Sequence, residues 1–361
     1  VDLTFTILPD ERGHAAASIS YNEGLSAPRV TVIVPTLAAD SVYEECLAAL
    51  AAQRYREFEC VIVDNSGEGR VREGGVTRPW LRVIREPRNV GFGAAVNHAI
   101  MSTSSTYVAT LNDDAIPAPG WLEALVEVME SDPSVGMCAS RIRFSGGRGL
   151  DSAGMLLAGD GSSKQRGHLA PLDQFQSPGE VFFPSACAAM YRRNMLDEIG
   201  LFDEEFFLYC EDTDLGLRAR WAGWKCWYVP AAEVVHRYSH SAGRASPLKA
   251  YLVERNRIFV ALKNLPLWML WKAPAVSLAR YFWHAFFLLR GRGVAAEYRQ
   301  GGGNALSLAG YVLRAHGAAL RRLPRLWASR KKIRKGSRIT PREFAALARR
   351  YSISARQVAA L

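Results

Sequence analysis

Between Val30 and Leu111 four apolar runs are separated by helix-like segments, and this arrangement restricts the fold more than any other feature of the chain. The runs "RVTVIVPT", "FECVIVDNS", "WLRVIREP" and "YVATLNDD" are nearly continuous apolar or β-branched stretches closed by proline or polar residues. That is the pattern of strands buried on both faces. "SVYEECLAALAAQ" has helical apolar spacing, and "NVGFGAAVNHAIMSTS" is a glycine-rich loop running into a helix. Strands alternating with helices build an α/β fold with a mostly parallel sheet and helices on both faces. Ligands of such sheets collect beyond the carboxyl ends of the strands. Pro35–Thr36, Asp64–Asn65 and Asn112–Asp114 all stand at those ends.

After "WLEALVEVMES", a helix, comes the strand-like run "VGMCASRIRF". Residues 145–180 are rich in Gly and Ser and read as a loop or irregular hairpin. Residues 1–29 read as an extension with a short strand, "LTFTIL", and a polar stretch. The natural division is therefore an extension (1–29), an α/β domain (30–245) and a helical, basic C-terminal region (246–361).

Charge separates the last region from the rest. Residues 244–361 hold 24 Lys/Arg against 3 Asp/Glu, a net of +21, whereas the residues before them carry a net of −11. A basic segment of this size points to an anionic surface. The run "LPLWMLWKAPAVSLARYFWHAFFLL" is nearly long enough to span a bilayer, but Lys272, Arg280 and His284 interrupt it and Pro274 would kink it. Helices lying in the membrane interface fit better, with Trp268, Trp271, Trp283 and Trp327 at headgroup level. A solvated helical domain used to form a homo-oligomer is the alternative. Nucleic acid is disfavoured as a partner, because the aromatics are not interleaved with the basic cluster and no recognition motif occurs. The six cysteines form no C-x-x-C pair, and the N-terminus lacks a signal-peptide pattern, so a reducing, cytosolic setting is expected.

Three polar constellations can carry chemistry. Adjacent carboxylates at a strand end repel each other unless a cation or donor compensates them. Asn112, Asp113 and Asp114 thus either start a turn before Pro117 or meet a metal-bound diphosphate. "REPRNVGFGAAVN" places glycines around Phe92 just before a helix, where backbone can approach an anion, though packing alone would also explain them. Glu211, Asp212 and Asp214 precede or open a helix, which the helix dipole favours. A carboxylate among aromatics there can also act as a general base. His236 ends the strand-like "WYVPAAEVVH" and is a candidate to complete a metal site with Asp114.

In order and spacing, "VIVPT", "VIVDNS", "RNVGFGAAVN", "LNDDA", "GLFDEEFFLYCEDTDLGLRARWAGW" and "YVPAAEVVH" resemble the family-2 inverting nucleotide-sugar glycosyltransferases of the A-type, Rossmann-like fold. The likeness covers roughly residues 30–240 and is greatest to the bacterial rhamnosyltransferase-like and galactofuranosyltransferase-like branch. It implies that Pro35 and Thr36 line a nucleotide pocket and that Asp64 bonds a pyrimidine base. Asn89, Gly91, Gly93 and Asn97 would border the nucleotide and sugar. Asn112, Asp113 and Asp114 stand at the family's Asp-x-Asp position, with Asp114, His236 and Asn112 as ligands of Mg²⁺ or Mn²⁺. Asn in the first place adds no charge, which would turn Asp113 toward the donor sugar.

Asp212 would be the catalytic base, with Glu211 beside it. The implied reaction moves a sugar, rhamnose from dTDP-rhamnose first and galactofuranose from its UDP donor second, onto a polyprenyl-diphosphate-linked saccharide. The setting implied is cell-wall or surface polysaccharide synthesis at the cytoplasmic face of the membrane. A catalytically silent sugar- or nucleotide-binding homologue is the alternative outside catalysis.

Overall fold

The computed structural model describes residues 5–9, 15–19, 28–72, 78–237 and 246–360. The polar stretch after Ile19 and the junction at residues 238–245 lie outside the described residues. An N-terminal hairpin pairs β1 (Phe5–Pro9) with β2 (Ala15–Ile19).

The centre is a sheet of ten strands. Its parallel block runs β6 (Tyr107–Leu111), β3 (Val30–Thr36), β4 (Phe58–Asp64) and β5 (Leu81–Arg85). Alternate residues of the apolar runs serve opposite faces, as a pleated strand requires. Val30, Val32 and Val34 enter one buried cluster with α1 (Val42–Ala51) and α3 (Trp121–Ser131). Ile33, Val61 and Val63 enter the other, with α2 (Phe92–Met101), α4 (Arg193–Ile199) and α5 (Glu211–Trp221). The unbroken apolar runs are thus explained by two cores, one on each face.

The second half of the sheet is mixed. β13 (Ala188–Arg192) lies antiparallel between β6 and β8 (Val135–Phe144). β14 (Lys225–His236) runs parallel to β8 and antiparallel to β7 (Ala115–Pro117) and β12 (Gly179–Val181). The segment read as a loop or irregular hairpin contains β9 (Leu150–Ser152), paired with β8, and a hairpin of β10 (Met155–Leu157) with β11 (Ser163–Gln165).

The C-terminal helices are α6 (Pro247–Asn264), α7 (Leu267–Leu289), α8 (Val294–Gln300), α9 (Ala305–Lys335), α10 (Pro341–Arg350) and α11 (Ala355–Ala360). Pro274 lies inside α7, and Pro324 inside α9. No described helix is long and apolar enough to cross a membrane. These helices share a core with the sheet domain: Phe182, Phe183 and Trp221 pack with Phe259, Phe344 and Tyr351 in one buried cluster. Trp221 stacks on Phe344 at 4.2 Å between ring centres, and the Arg334 guanidinium lies 3.3 Å from the Trp221 ring centre. One of the charges that interrupt the apolar run of α7 is turned inward. Arg280 is buried and reaches Asp160 at 2.8 Å, with His284 beside it.

Candidate active site

The carboxyl ends of β3, β4 and β6 open into a cavity of about 800 Å³. Pro35, Thr36, Asn89, Gly91, Asn112, Asp113, Asp114, Glu211, Asp212 and His236 all line it. Three other residues expected here do not reach the wall. Asp64 turns back on its own loop, accepting hydrogen bonds from Ser66 N and Oγ and from Val71 N. Asn97 bridges to the main chain of Phe202, and Gly93 packs against the Phe202 Cβ. A strand-end or helix position brings a residue near a site, but the direction of its side chain decides what it touches, and these three support the walls from behind.

Asn65 is what shapes the glycine-rich loop. Its Oδ1 accepts from Val90 N at 2.8 Å, and its Nδ2 donates to Asn89 Oδ1 and to Gly91 O. Gly91 has φ +88°, and a Cβ there would stand 2.3 Å from Phe207 O. Phe92 N donates to that same carbonyl at 2.7 Å. The loop therefore locks onto the chain just before α5. Gly91→Ala should cost on the order of 1–3 kcal/mol, from the positive φ and the clash together. A drop in melting temperature with loss of nucleotide binding is expected, and an unchanged melting temperature would refute the argument.

The Asp113 and Asp114 side chains have different environments. Thr36 Oγ1 donates to Asp113 Oδ2 at 2.6 Å. Burial pushes the Asp113 carboxyl up to about 6; the Thr36 hydrogen bond opposes this and the Asp114 charge adds to it. Asp114 Oδ1 lies 3.1 Å from His236 Nε2, and His236 Nδ1 lies 2.7 Å from Asp151 Oδ2. Asp151 in turn has His168 Nδ1 at 3.4 Å. β7 pairs directly with β14, with His236 opposite Ala115, which is why a residue far along the chain meets Asp114.

A carboxylate beside an imidazole whose other nitrogen is held by a second carboxylate is a donor set that fits a divalent cation. Among the described residues no group of three or more His, Cys, Asp or Glu side chains is placed to hold a metal ion by itself. Asn112 lines the cavity, while its backbone N donates to Cys187 O at 2.8 Å.

Glu211 and Asp212 open α5 after three residues of positive φ, Phe207, Tyr209 and Cys210. That strained approach is held by α6. Asn256 Nδ2 donates to the carbonyls of Phe206, Leu208 and Tyr209, and Arg255 Nη2 to those of Glu205 and Phe206. Asp212 Oδ1 accepts from Thr213 N at 2.6 Å and Oδ2 from Ala186 N at 3.3 Å. Burial raises the Asp212 pKa against those hydrogen bonds. Glu211 is raised by burial first and by the Asp212 charge second, and its Oε2 has no hydrogen-bond partner among the described residues.

The sequence profile of glycosyl transferase family 2 matches residues 31–200. N-acetylglucosaminyl-diphospho-decaprenol L-rhamnosyltransferase of Mycobacterium tuberculosis is 30% identical over 269 residues, which are 67% of this chain and 86% of that protein. The chain belongs to glycosyl transferase family 2. It is a glycosyltransferase.

Solved structures agree on the fold. GalNAc-T7, solved with UDP, GalNAc and Mn²⁺, superposes with a TM-score of 0.53 at 16% identity, over 67% of this chain and 49% of its own. Residues 1–349 of Staphylococcus aureus TarS, in complex with UDP-GlcNAc, give 0.51 at 18% identity, over 90% and 91% of the two chains.

Sequence reasoning missed several residues of this family-2 cavity. Asp151, His168 and Lys164 come from the segment read as a loop or irregular hairpin, whose strands have three residues each and no readable period. Asp214 was grouped with Glu211 and Asp212 but has another task. It is fully buried, with Arg218 Nε at 2.8 Å, Lys263 Nζ at 2.9 Å and Asn264 Nδ2 at 2.8 Å.

Proposed function

We propose that this chain is an inverting, metal-dependent transferase that moves rhamnose from dTDP-rhamnose onto a polyprenyl-diphosphate-linked saccharide. The observation that carries this reading is the single cavity holding both the Asp114–His236 pair and the Glu211–Asp212 pair. The acceptor class and rhamnose come from likeness to the decaprenol-linked rhamnosyltransferase.

Asp114 and His236, with Asn112 beside them, would hold Mg²⁺ or Mn²⁺, and a bound cation supplies charge neutralisation for the departing nucleoside diphosphate. The protein's own part is positional and protolytic. Thr36 holds Asp113 toward the donor side, while Asn65 presents Asn89 and the Gly91 backbone to the nucleotide. Asp212, fixed by two main-chain N–H groups, takes the proton of the acceptor hydroxyl as that oxygen attacks the anomeric carbon. The nucleoside diphosphate leaves from the opposite face with the bonding electron pair, so configuration inverts in one displacement. Glu211 stays protonated next to Asp212 and can donate to the acceptor sugar.

Thermal shift with dTDP, UDP and GDP, each with Mn²⁺, Mg²⁺ or EDTA, tests the donor site. A ligand at about 100 times its Kd adds about 2.7 kcal/mol of stability. The expected result is a rise with dTDP that EDTA abolishes. A rise with UDP alone would move the donor to the galactofuranose type, and no shift with any nucleotide would remove the transferase reading of the cavity.

We also infer that residues 246–361 dock on anionic lipid at the cytoplasmic face, beside the catalytic unit formed by residues 30–245. α7 exposes Trp271, Leu278, Phe282 and Leu289, and α9 exposes Leu313, Leu320 and Trp327. Lys272, Arg290, Arg314, Arg321, Arg325, Lys331 and Lys332 are exposed on the same helices or directly after them. Basic residues near such a surface contribute roughly 1 kcal/mol each. Flotation with phosphatidylglycerol vesicles but not with neutral ones is expected, and equal recovery from both would count against docking.

A further inference from the structure

The His236 imidazole is held at both edges. Its Nε2 faces Asp114 Oδ1 at 3.1 Å, and its Nδ1 faces Asp151 Oδ2 at 2.7 Å. An ionised carboxylate can only accept, so the proton of the second contact sits on Nδ1. Nε2 is then the nitrogen that can ligate a cation, and the same contact keeps it on the Asp114 side of the ring. The Cys187 thiol also interacts with His236. Sulfur is a weak acceptor, however, and does not fix a tautomer against a carboxylate.

The local backbone delivers that carboxylate. β9 pairs with β8 through Ser152 opposite Ile142 and Leu150 opposite Arg143, so one step on β8 faces two on β9 and Asp151 is the extra residue. A bulge of this kind breaks the alternation of a strand and re-aims the side chain it carries. Leu150, Asp151 and Ser152 are accordingly all buried. β14 also pairs with β8, with His236 opposite Phe144, so one strand fixes both partners. Among the described residues Asp151 has no Lys or Arg ion pair, only the imidazoles of His236 and His168. Its Oδ1 accepts no hydrogen bond of normal geometry there, with His168 Nδ1 standing 3.4 Å away. A buried carboxylate with so little compensation costs stability, which marks a position kept for function.

We propose that Asp151 is the positioning residue of the metal site: it holds His236 in the Nδ1–H tautomer and keeps Nε2 turned toward Asp114. This rests on the Asp114–His236 metal reading above and adds the residue that makes the pair competent. Asp151 is not placed as a third ligand, since no such group of three occurs among the described residues. It acts through the imidazole. His168 braces the bulge from the cavity wall: its Nδ1 lies 3.3 Å from the Asp151 carbonyl oxygen, and its ring meets Phe144 edge-on at 5.3 Å between centres.

The test is Mn²⁺ binding to the full chain, stripped with EDTA and desalted, read from the EPR signal of the free ion with and without saturating dTDP. Asp151→Asn presents an amide that can donate to Nδ1 and favour the opposite tautomer, so Mn²⁺ should bind about 10–100-fold more weakly than to wild type. Asp151→Ser removes the acceptor without adding that amide and should also lose about tenfold or more. It is the second variant if Asp151→Asn does not fold. His236→Ala gives the loss expected when the ligand itself is gone. Melting temperature in EDTA reports the structural share separately. A lower melting temperature with unchanged Mn²⁺ affinity in the Asp151 variants would overturn the positioning role, and so would no change in either quantity. A loss in His236→Ala alone would then leave the metal pair standing without Asp151. No Mn²⁺ binding to wild type in either condition would remove the pair and the role of Asp151 together, while dTDP binding in EDTA still reports on the nucleotide pocket.

Discussion

Asp212→Asn is expected to lower sugar transfer by about 10²–10⁴-fold, the usual contribution of a positioned general base, while nucleotide binding stays nearly intact. An amide cannot take the hydroxyl proton, yet it matches the carboxylate in shape and can keep one of the hydrogen bonds from Ala186 N and Thr213 N. The pH profile supplies a second readout. Burial raises the Asp212 pKa, so the wild-type base is protonated at pH values where an exposed aspartate would already be ionised. Activity in wild type should therefore fall on the acid side at a higher pH than an exposed aspartate base would give, and that limb should vanish from the residual activity of Asp212→Asn.

Glu211→Gln separates the two neighbours. Glu211 is raised by burial and by Asp212 itself, so an amide mimics its protonated form and should retain far more activity than Asp212→Asn. The reverse ranking would exchange their roles. Wild-type-like turnover of Asp212→Asn would leave no base on this helix.

Much of this site was legible because strand ends in a parallel sheet gather in one place. Thr36, Asp113 and Asp114 could be brought together from periodicity alone, and His236 joined them because β14 ends beside β7. What periodicity cannot supply is the direction of a side chain at the end of an element. Asp64 and Asp113 both close buried strands, yet Asp64 satisfies its own loop through Ser66 and Val71 while Asp113 faces the cavity. Short strands were unreadable for a different reason. Three residues carry too little pattern to register, so Asp151 and Lys164 stayed hidden in a polar segment. In the C-terminal region, total charge counts buried and exposed groups alike and so overstates the basic surface. Arg257, Lys263 and Arg280 are buried ion-pair partners, and the surface charge falls to the remaining basic residues.

Asp214 shows the same limit within a single helix, and it carries the largest expected effect on stability. Residues two apart on a helix project about 200° apart, so Asp214 points away from Asp212, into the contact between α5 and α6. There it meets Arg218, Lys263 and Asn264. Asp214→Ala removes the common acceptor and leaves two buried cations short of a partner, which costs about 3–5 kcal/mol. A fall in melting temperature on the order of 10 °C is expected, although Lys263 keeps Asp203 at 2.6 Å.

The acid side gives the sign of the effect. Burial raises the Asp214 pKa, but Lys263 and Arg218 outweigh it and hold the carboxyl at about 2, below the roughly 3.9 of an unfolded aspartate. Its contribution is complete above about pH 4 and is lost as pH falls through about 2. Wild type should lose stability relative to Asp214→Ala across that window, and the two should converge at its acid end. A constant gap between them down to the acid end would mean that the cost comes from the cavity left by the side chain and not from the carboxylate. Because α6 also holds the strained approach to Asp212 through Asn256, loosening this contact should reduce transfer at temperatures well below the melting point.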